Sequence, residues 1–528
     1  MYTGSLGVIA ASTLTGTNSN TYNFCIIATI VIYLLAMLAI GFIFSKKNTD
    51  SKDFYLGGRK MGPLVTAMSA EASDMSSWLL MGLPGLAYLT GMPEPVWTAI
   101  GLGVGTWLNW FFVARKLRRY SANINAITLP EFFSKRYHDK ANVLNFIAAL
   151  VIIIFFVPYT ASGFAACGKL FNSLFGVNYT VAMLVSAAII VGYTIMGGFK
   201  AVSTTDLIQS IVMTLALCAV LIYGINFAGG WDAVVDHARS LPGYLTLTEG
   251  YNPEAKTSTV YSGLTIASTL AWGLGYFGMP HILLRFMAIE DEKKLILSRR
   301  IATVWVFIAM TAAIVIGMVG LGMTNADPTT FPFLAKSASE TVIVKIAGLI
   351  SGHGILFAIL AGLILAGILA ATMSTADSQM LAAASSMSQN VLQDFFHIKM
   401  SEKTSLLIAR VTIVAIAIIG VFLALDPESS VFQIVSFAWA GFGGAFGAVM
   451  LCALFWKRSN KWGALAGMIS GGIMVFFWKF VIRKLGGIWN IYELLPAFIV
   501  SLIFVIVISL VTGKPDAEIE KEFEAAAK

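Results

Sequence analysis

A chain of 528 residues that is 57% hydrophobic and only 12% charged, with a mean hydropathy of +0.80, cannot build the water-facing surface of the three or four soluble domains its length would suggest. Its solvent is lipid. The net charge of +7, from 35 Lys and Arg against 28 Asp and Glu, does not indicate nucleic acid, because the basic residues sit in short loops beside apolar stretches, where they report orientation.

Thirteen candidate membrane spans follow in chain order, near 24–45, 64–90, 95–116, 142–170, 178–197, 203–229, 260–288, 299–323, 343–385, 404–425, 430–456, 460–479 and 488–512. The expected class is an all-α polytopic membrane protein with a single transmembrane domain over 24–512. Residues 1–23 carry no basic stretch and the run 24–45 is too long for a signal-peptide core, so it is expected to remain as a span. The ninth stretch is too long for one crossing and should bend or run along the interface. Lys46, Lys47, Lys52, Arg59 and Lys60 follow the first span, Arg115, Lys116, Arg118 and Arg119 the third, and Arg285, Lys293, Lys294, Arg299 and Arg300 the seventh. These loops place the N-terminus outside and the tail, 513–528, in the cytoplasm of a multi-pass plasma-membrane protein. Lys479, Arg483 and Lys484 disagree, falling on the outer side. The tail reads as a short amphipathic helix or as disorder. The longest stretch outside the spans, roughly 230–259, is too short for a soluble catalytic domain.

Spans two and seven are interrupted in corresponding ways. Ala70-Glu71-Ala72-Ser73-Asp74-Met75-Ser76-Ser77-Trp78 is a polar break inside apolar flanks, and Trp272-Gly273-Leu274-Gly275-Tyr276-Phe277-Gly278-Met279-Pro280 is dense in helix breakers. Paired broken helices five spans apart point to an inverted-repeat secondary transporter. The repeats would cover about 64–229 and 260–456, with peripheral helices at about 24–45, 460–479 and 488–512.

A carboxylate in mid-membrane is costly unless it faces a cavity or a cation. Asp74, beside Ser73, Ser76 and Ser77, therefore suits either an alkali-cation site or a cap on the following half-helix. Asp206 opens span six and serves equally as a helix-dipole acid or a coupling acid. In span nine Ala371, Ser374, Thr375 and Ser378 recur at helical spacing, and with Asp377 they favour sodium over simple back-bonding of hydroxyls. Glu71 is left open between a protonated acid, a gating pair with Asp74 and a contact on the cytoplasmic side. Trp272 and Tyr276 flank the break of span seven and suit a small amphipathic solute, while Tyr159 alone reads as packing. The glycine series Gly101/Gly103/Gly105 and Gly441/Gly443/Gly444/Gly447 read as close helix packing. Cys25, Cys167, Cys218 and Cys452 show neither disulfide nor zinc spacing, and the five histidines no metal or catalytic motif. An enzyme is disfavoured, so no catalytic residues and no cofactor are expected.

Several longer words then resemble the sodium/solute symporter family, most closely its proline branch, over roughly 24–515. They are Leu56-Gly57-Gly58-Arg59, Ala72-Ser73-Asp74-Met75-Ser76, the run Trp78–Gly85, Trp272–Phe277, Pro280-His281-Ile282-Leu283, Arg285-Phe286-Met287-Ala288, Met373-Ser374-Thr375 and Ala438-Trp439-Ala440-Gly441-Phe442-Gly443. The resemblance implies sodium-driven uptake of L-proline, with sodium as coupling ion and only metal. It implies a sodium site from the carbonyls of Ala72, Met75 and Ala371 and the hydroxyls of Ser374 and Thr375. It also implies coupling acids Asp74 and Asp206, a basic residue Arg59 at the cytoplasmic end of span two, and substrate contacts at Ser76, Tyr159, Trp272, Tyr276 and Pro280. Three positions depart from the pattern: Ser77 for glycine, Met279 for glutamine, and Asp377 where serine is common. Asp377, with Asp206 and Ser378, forms a candidate second sodium site. Expected partners are L-proline, sodium and the bilayer, with no nucleic acid and no obligate protein partner. A symporter of another small amino or organic acid, or a proline-binding membrane sensor, is the alternative.

Overall fold

The computed structural model describes residues 16–45 and 51–527. Residues 1–15 of the N-terminal segment, together with Lys46 and Lys47, lie outside the described residues. Helix α1 (Gly16–Ser45) and the short α2 (Ser51–Leu56) lead into α3 (Pro63–Ser77) and α4 (Leu83–Thr90), joined by a π-helical turn at Trp78–Gly82. Next come α5 (Pro93–Leu108) and α6 (Ala114–Asn123), again across a π turn, then α7 (Leu129–Arg136), α8 (Val143–Phe175), α9 (Tyr179–Gly197), α10 (Phe199–Phe227) and α11 (Trp231–Ser240). A hairpin of β1 (Glu249–Asn252) and β2 (Thr257–Val260) precedes α12 (Gly263–Leu270), a 3-10 segment Ala271–Phe277, α13 (Pro280–Ala288) and α14 (Leu295–Ala326). The second half holds α15 (Val342–Ser351), α16 (Ile355–Ser385), α17 (Glu402–Leu423), α18 (Val431–Phe442), α19 (Ala448–Phe455), α20 (Lys461–Phe480), α21 (Leu494–Val511) and α22 (Ala517–Ala527).

Among the described residues ten helices are long and apolar enough to cross a membrane. Of the thirteen expected stretches, the other three are the shorter Tyr179–Ile195 and the two broken spans. Starts are marked by residues that satisfy or lack the first free N–H groups: Pro63, Pro93 and Pro280 at first turns, and Thr128, Asn178, Ser262, Ser401 and Asn460 as side-chain caps. The over-long ninth stretch divides into α15 and α16, and Gly354 makes the corner at φ +124, a conformation only glycine adopts readily.

The glycine series behave as packing surfaces. A Cβ on Gly101 would lie 2.5 Å from the Leu270 carbonyl, one on Gly105 would meet Gly273, and one on Gly441 would enter the Phe155 ring. The stretch 230–259 is ordered by α11 and the hairpin, and Tyr244 anchors it by donating to the Ala87 carbonyl at 2.7 Å. The tail is helical: α22 sets Glu522 3.0 Å from His138 and Phe523 over the buried Arg136. The discordant Lys479 and Arg483 reach the fully buried Glu493 at 3.5 and 3.2 Å, which accounts for two of the three basic residues on that side.

Candidate functional site

The break in span two is a single residue. Ser76, within α3, has φ 45 and ψ −171, a left-handed conformation that a non-glycine residue holds only when its surroundings impose it. Its own Oγ accepts from the Trp78 N–H at 3.0 Å, so the side chain caps the resumed helix. Span seven breaks differently, tightening into a 3-10 helix over Ala271–Phe277, with Met279 extended before Pro280 restarts the α-helix. Gly275 is required there, because any Cβ would collide with the Trp439 indole.

Span nine packs along the break of span two. Ser374 Oγ donates to the Ala72 carbonyl at 2.8 Å and shares that proton with Ala371 at 3.1 Å. Thr375 Oγ1 is buried with no hydrogen-bond partner. The Met75 carbonyl accepts from the Trp78 N–H. Beside Thr375 lies a cavity of about 10 Å³, lined also by Ser76, Ser77, Tyr159 and Gln379, which is room for about one water or one small cation. Neutral hydroxyl and amide oxygens around a one-ion space fit a hard monovalent cation; of the expected ligands Thr375 lines it, and its orphaned hydroxyl is the atom such an ion would satisfy.

Asp74 sits above this cradle. Its Oδ2 accepts from the Tyr276 hydroxyl at 2.6 Å, and its carbonyl accepts from Tyr159 at 3.1 Å. One acid thus gathers a tyrosine from span four and another from span seven. Glu71 is held elsewhere, its Oε1 accepting from Trp110 at 3.0 Å, so the two carboxylates have separate partners. Tyr159 and Ser76 line the cavity, whereas Trp272 faces a larger one, and Pro280 serves as the first residue of α13 without lining either.

The larger cavity is a vestibule of about 730 Å³, lined among others by Trp272, Phe432, Ser436, Arg483 and Tyr492. Trp272 stacks on Tyr492 at 5.0 Å and packs on Trp78 at 5.6 Å, and Tyr492 donates to the Ser436 carbonyl at 2.8 Å. At its rim Lys169 donates to Glu340 at 2.7 Å, while Glu340 also accepts from the Val431 and Phe432 N–H groups that open α18. Arg59 lines neither cavity. Gly57 and Gly58, at φ +62 and +63, turn the chain so that its guanidinium donates to the carbonyls of Met287, Ser121 and Ala126 at 2.6–3.0 Å.

One expectation is corrected. Arg285, counted among the basic loop residues that report orientation, is buried in α13 and pairs with Asp206 at 3.2 Å. Asp206 and Ser378 of the candidate second sodium site do come together, but around that guanidinium, and Asp377 adjoins them through a long 3.4 Å contact from Ser378. Sequence reasoning also passed over Tyr492, Trp439, Gln379 and the Lys169–Glu340 pair.

The fold and cradle define a helical secondary transporter built on two broken helices. Among solved structures the chain is similar to a Na+-coupled sialic acid symporter, with TM-score 0.76 and 17% identity over 93% of this chain and 98% of that one. It is similar also to MhsT in complex with L-phenylalanine, with TM-score 0.51 and 14% identity over 85% of this chain and 98% of that one; both likenesses concern the fold. Within that class the chain belongs to the sodium:solute symporter family, whose model matches residues 54–471. Its relatives include a sodium/proline symporter of Haemophilus influenzae, 41% identical over 95% of this chain and 97% of the relative. The osmoregulated proline transporter OpuE of Bacillus subtilis is 40% identical over 93% and 95%.

Proposed function

We propose that this chain takes up L-proline with sodium by alternating access. The observation that carries the reading is the cradle of Ala72, Ala371, Ser374 and Thr375 beside a one-ion cavity, in a chain about 40% identical to proline transporters over nearly its whole length. The ion, with Met75 as a further carbonyl ligand, would pull α3 and α16 together next to the strained Ser76. That contact orders the wall that Ser76 and Tyr159 present to substrate, while Asp74 carries the effect to Tyr276 and Trp272. Sodium and proline then tighten each other's binding by the same factor.

The basic face that carries Arg59 is cytoplasmic in this reading, the vestibule is extracellular, and the two repeats run over about 64–229 and 260–456. The one-water cavity has no room for proline, so substrate entry requires the Trp78, Trp272 and Tyr492 aromatic cluster to part. The test is uptake of radiolabelled proline into proteoliposomes under an imposed sodium gradient, with other amino acids as competitors. Concentrative uptake that collapses with the gradient and is competed best by proline is expected. Binding without accumulation would indicate a sensor, and stronger competition by another small acid would reassign the substrate.

A further inference from the structure

Arg285 is a buried charge that the sodium cradle does not use. Its side chain is 2% exposed, and its guanidinium is engaged on every nitrogen. Nη2 lies 3.2 Å from Asp206 Oδ2 and donates to Ser378 Oγ at 2.6 Å. Nε donates to Ser69 Oγ at 3.0 Å and Nη1 to the His281 carbonyl at 2.9 Å, while the Phe199 ring lies 5.1 Å from its centre. Ser69 in turn donates to Asp206 at 2.6 Å. Four elements meet at this one group: α3, α10, α13 and α16.

Asp206, Asp377 and Ser378, taken as oxygens alone, would make a second alkali-cation site. A serine lone pair engaged by a guanidinium N–H is not open to an ion. A fixed positive charge about 3 Å from Asp206 also repels an arriving cation, steeply so where water is excluded. We propose that Arg285 is a tethered cation that occupies the second cation position and keeps a mobile ion out of it. The inference rests on the sodium-coupled reading above and assigns the occupant of that second position.

Being covalent, this cation cannot leave with the substrate. It neutralises Asp206 throughout the cycle and joins the cytoplasmic half of span seven to spans two, six and nine. Removing it would strand two buried carboxylates without a cation, a heavily penalised arrangement unless an ion enters. Asp206 Oδ1 and Asp377 Oδ2, both without partners, would then be free to bind it.

The experiment counts sodium sites on the purified full-length chain with radioactive sodium, alongside sodium-dependent proline uptake in proteoliposomes. The native protein is expected to bind one sodium per chain with a hyperbolic sodium dependence. Arg285→Gln is expected to bind two and to become sigmoidal, while Arg285→Lys, which keeps the charge, stays at one. Two sites in the native protein overturn the proposal, as does a folded Arg285→Gln that still binds one. Should Arg285→Gln fail to insert, the native count decides alone. A native protein that accumulates no proline defeats the transport reading itself. One that accumulates proline with two sodium ions defeats only the role of Arg285.

Discussion

Two buried polar clusters share α16 about one turn apart, and they are built of opposite materials. The first is neutral: Ala371 and Ala72 contribute carbonyls, and Ser374 and Thr375 hydroxyls. The second is charged: Asp206 and Asp377 flank Ser378, with Arg285 among them. Ser378 donates to the Ser374 carbonyl at 2.8 Å, so the clusters touch. A cation that must enter and leave in each cycle is better held by neutral oxygens, since buried carboxylates left behind by a departing ion are heavily penalised. A charged cluster is tolerable where its cation is permanent. The difference separates a place for a passing ion from a place that the chain has filled with its own side chain.

Asp74→Asn offers the strongest test of the neutral cluster's dependence on a nearby charge. It keeps an acceptor for Tyr276 but loses the charge beside the cradle, so sodium-dependent uptake should fall by about 10- to 100-fold. Membrane insertion should be unchanged, and an unaltered half-saturation for sodium would break the link between Asp74 and the ion. Thr375→Ala removes the orphaned hydroxyl. The half-saturation for sodium should rise about tenfold, equivalent to about 1.4 kcal/mol, while Thr375→Ser stays near native; equal losses in both variants would assign the effect to packing.

Tyr492→Ala sharpens the contrast from outside both clusters, because it uncovers Trp272 without touching either. The proline half-saturation should change by about 3- to 10-fold, the range of a lost aromatic pair, with sodium affinity preserved. Tyr492→Phe, lacking only the bond to Ser436, should move it less. Arg483→Ala is expected to have the smallest effect: its guanidinium is partly exposed, and Lys479 at 3.5 Å remains to pair the buried Glu493. A large loss of thermal stability in that variant would show that the Glu493 network holds the vestibule together.

Much of the architecture was legible from hydropathy and breakers. The run around Ser73–Ser77 and the glycines of 273–278 marked the two interruptions, and helical spacing put Ala371, Ser374 and Thr375 on one face. What could not be read was which oxygen stayed free. Ser374 and Thr375 are adjacent and chemically alike, yet packing gives one a bond to Ala72 and leaves the other orphaned. Glu71 and Asp74 looked like a repelling pair three residues apart, but Trp110 and Tyr276 draw them to separate partners. Tyr492 lay near the start of the last expected span and drew no interest, because stacking on Trp272 joins positions 220 residues apart.

The sequence by itself determined the solvent, the helical class, the two broken spans and the neutral oxygens of span nine, because these follow from composition and from local periodicity. The tertiary structure alone decided that Arg285 is a buried partner of Asp206 and Ser378 rather than a loop charge. Those residues are 79 and 93 positions away, and no local pattern ranks a lipid-headgroup position against a buried one at the end of a helix. Only the packing of α3, α10, α13 and α16 around one guanidinium does so, since a charge in that interior is stable only where every neighbour is arranged to meet it.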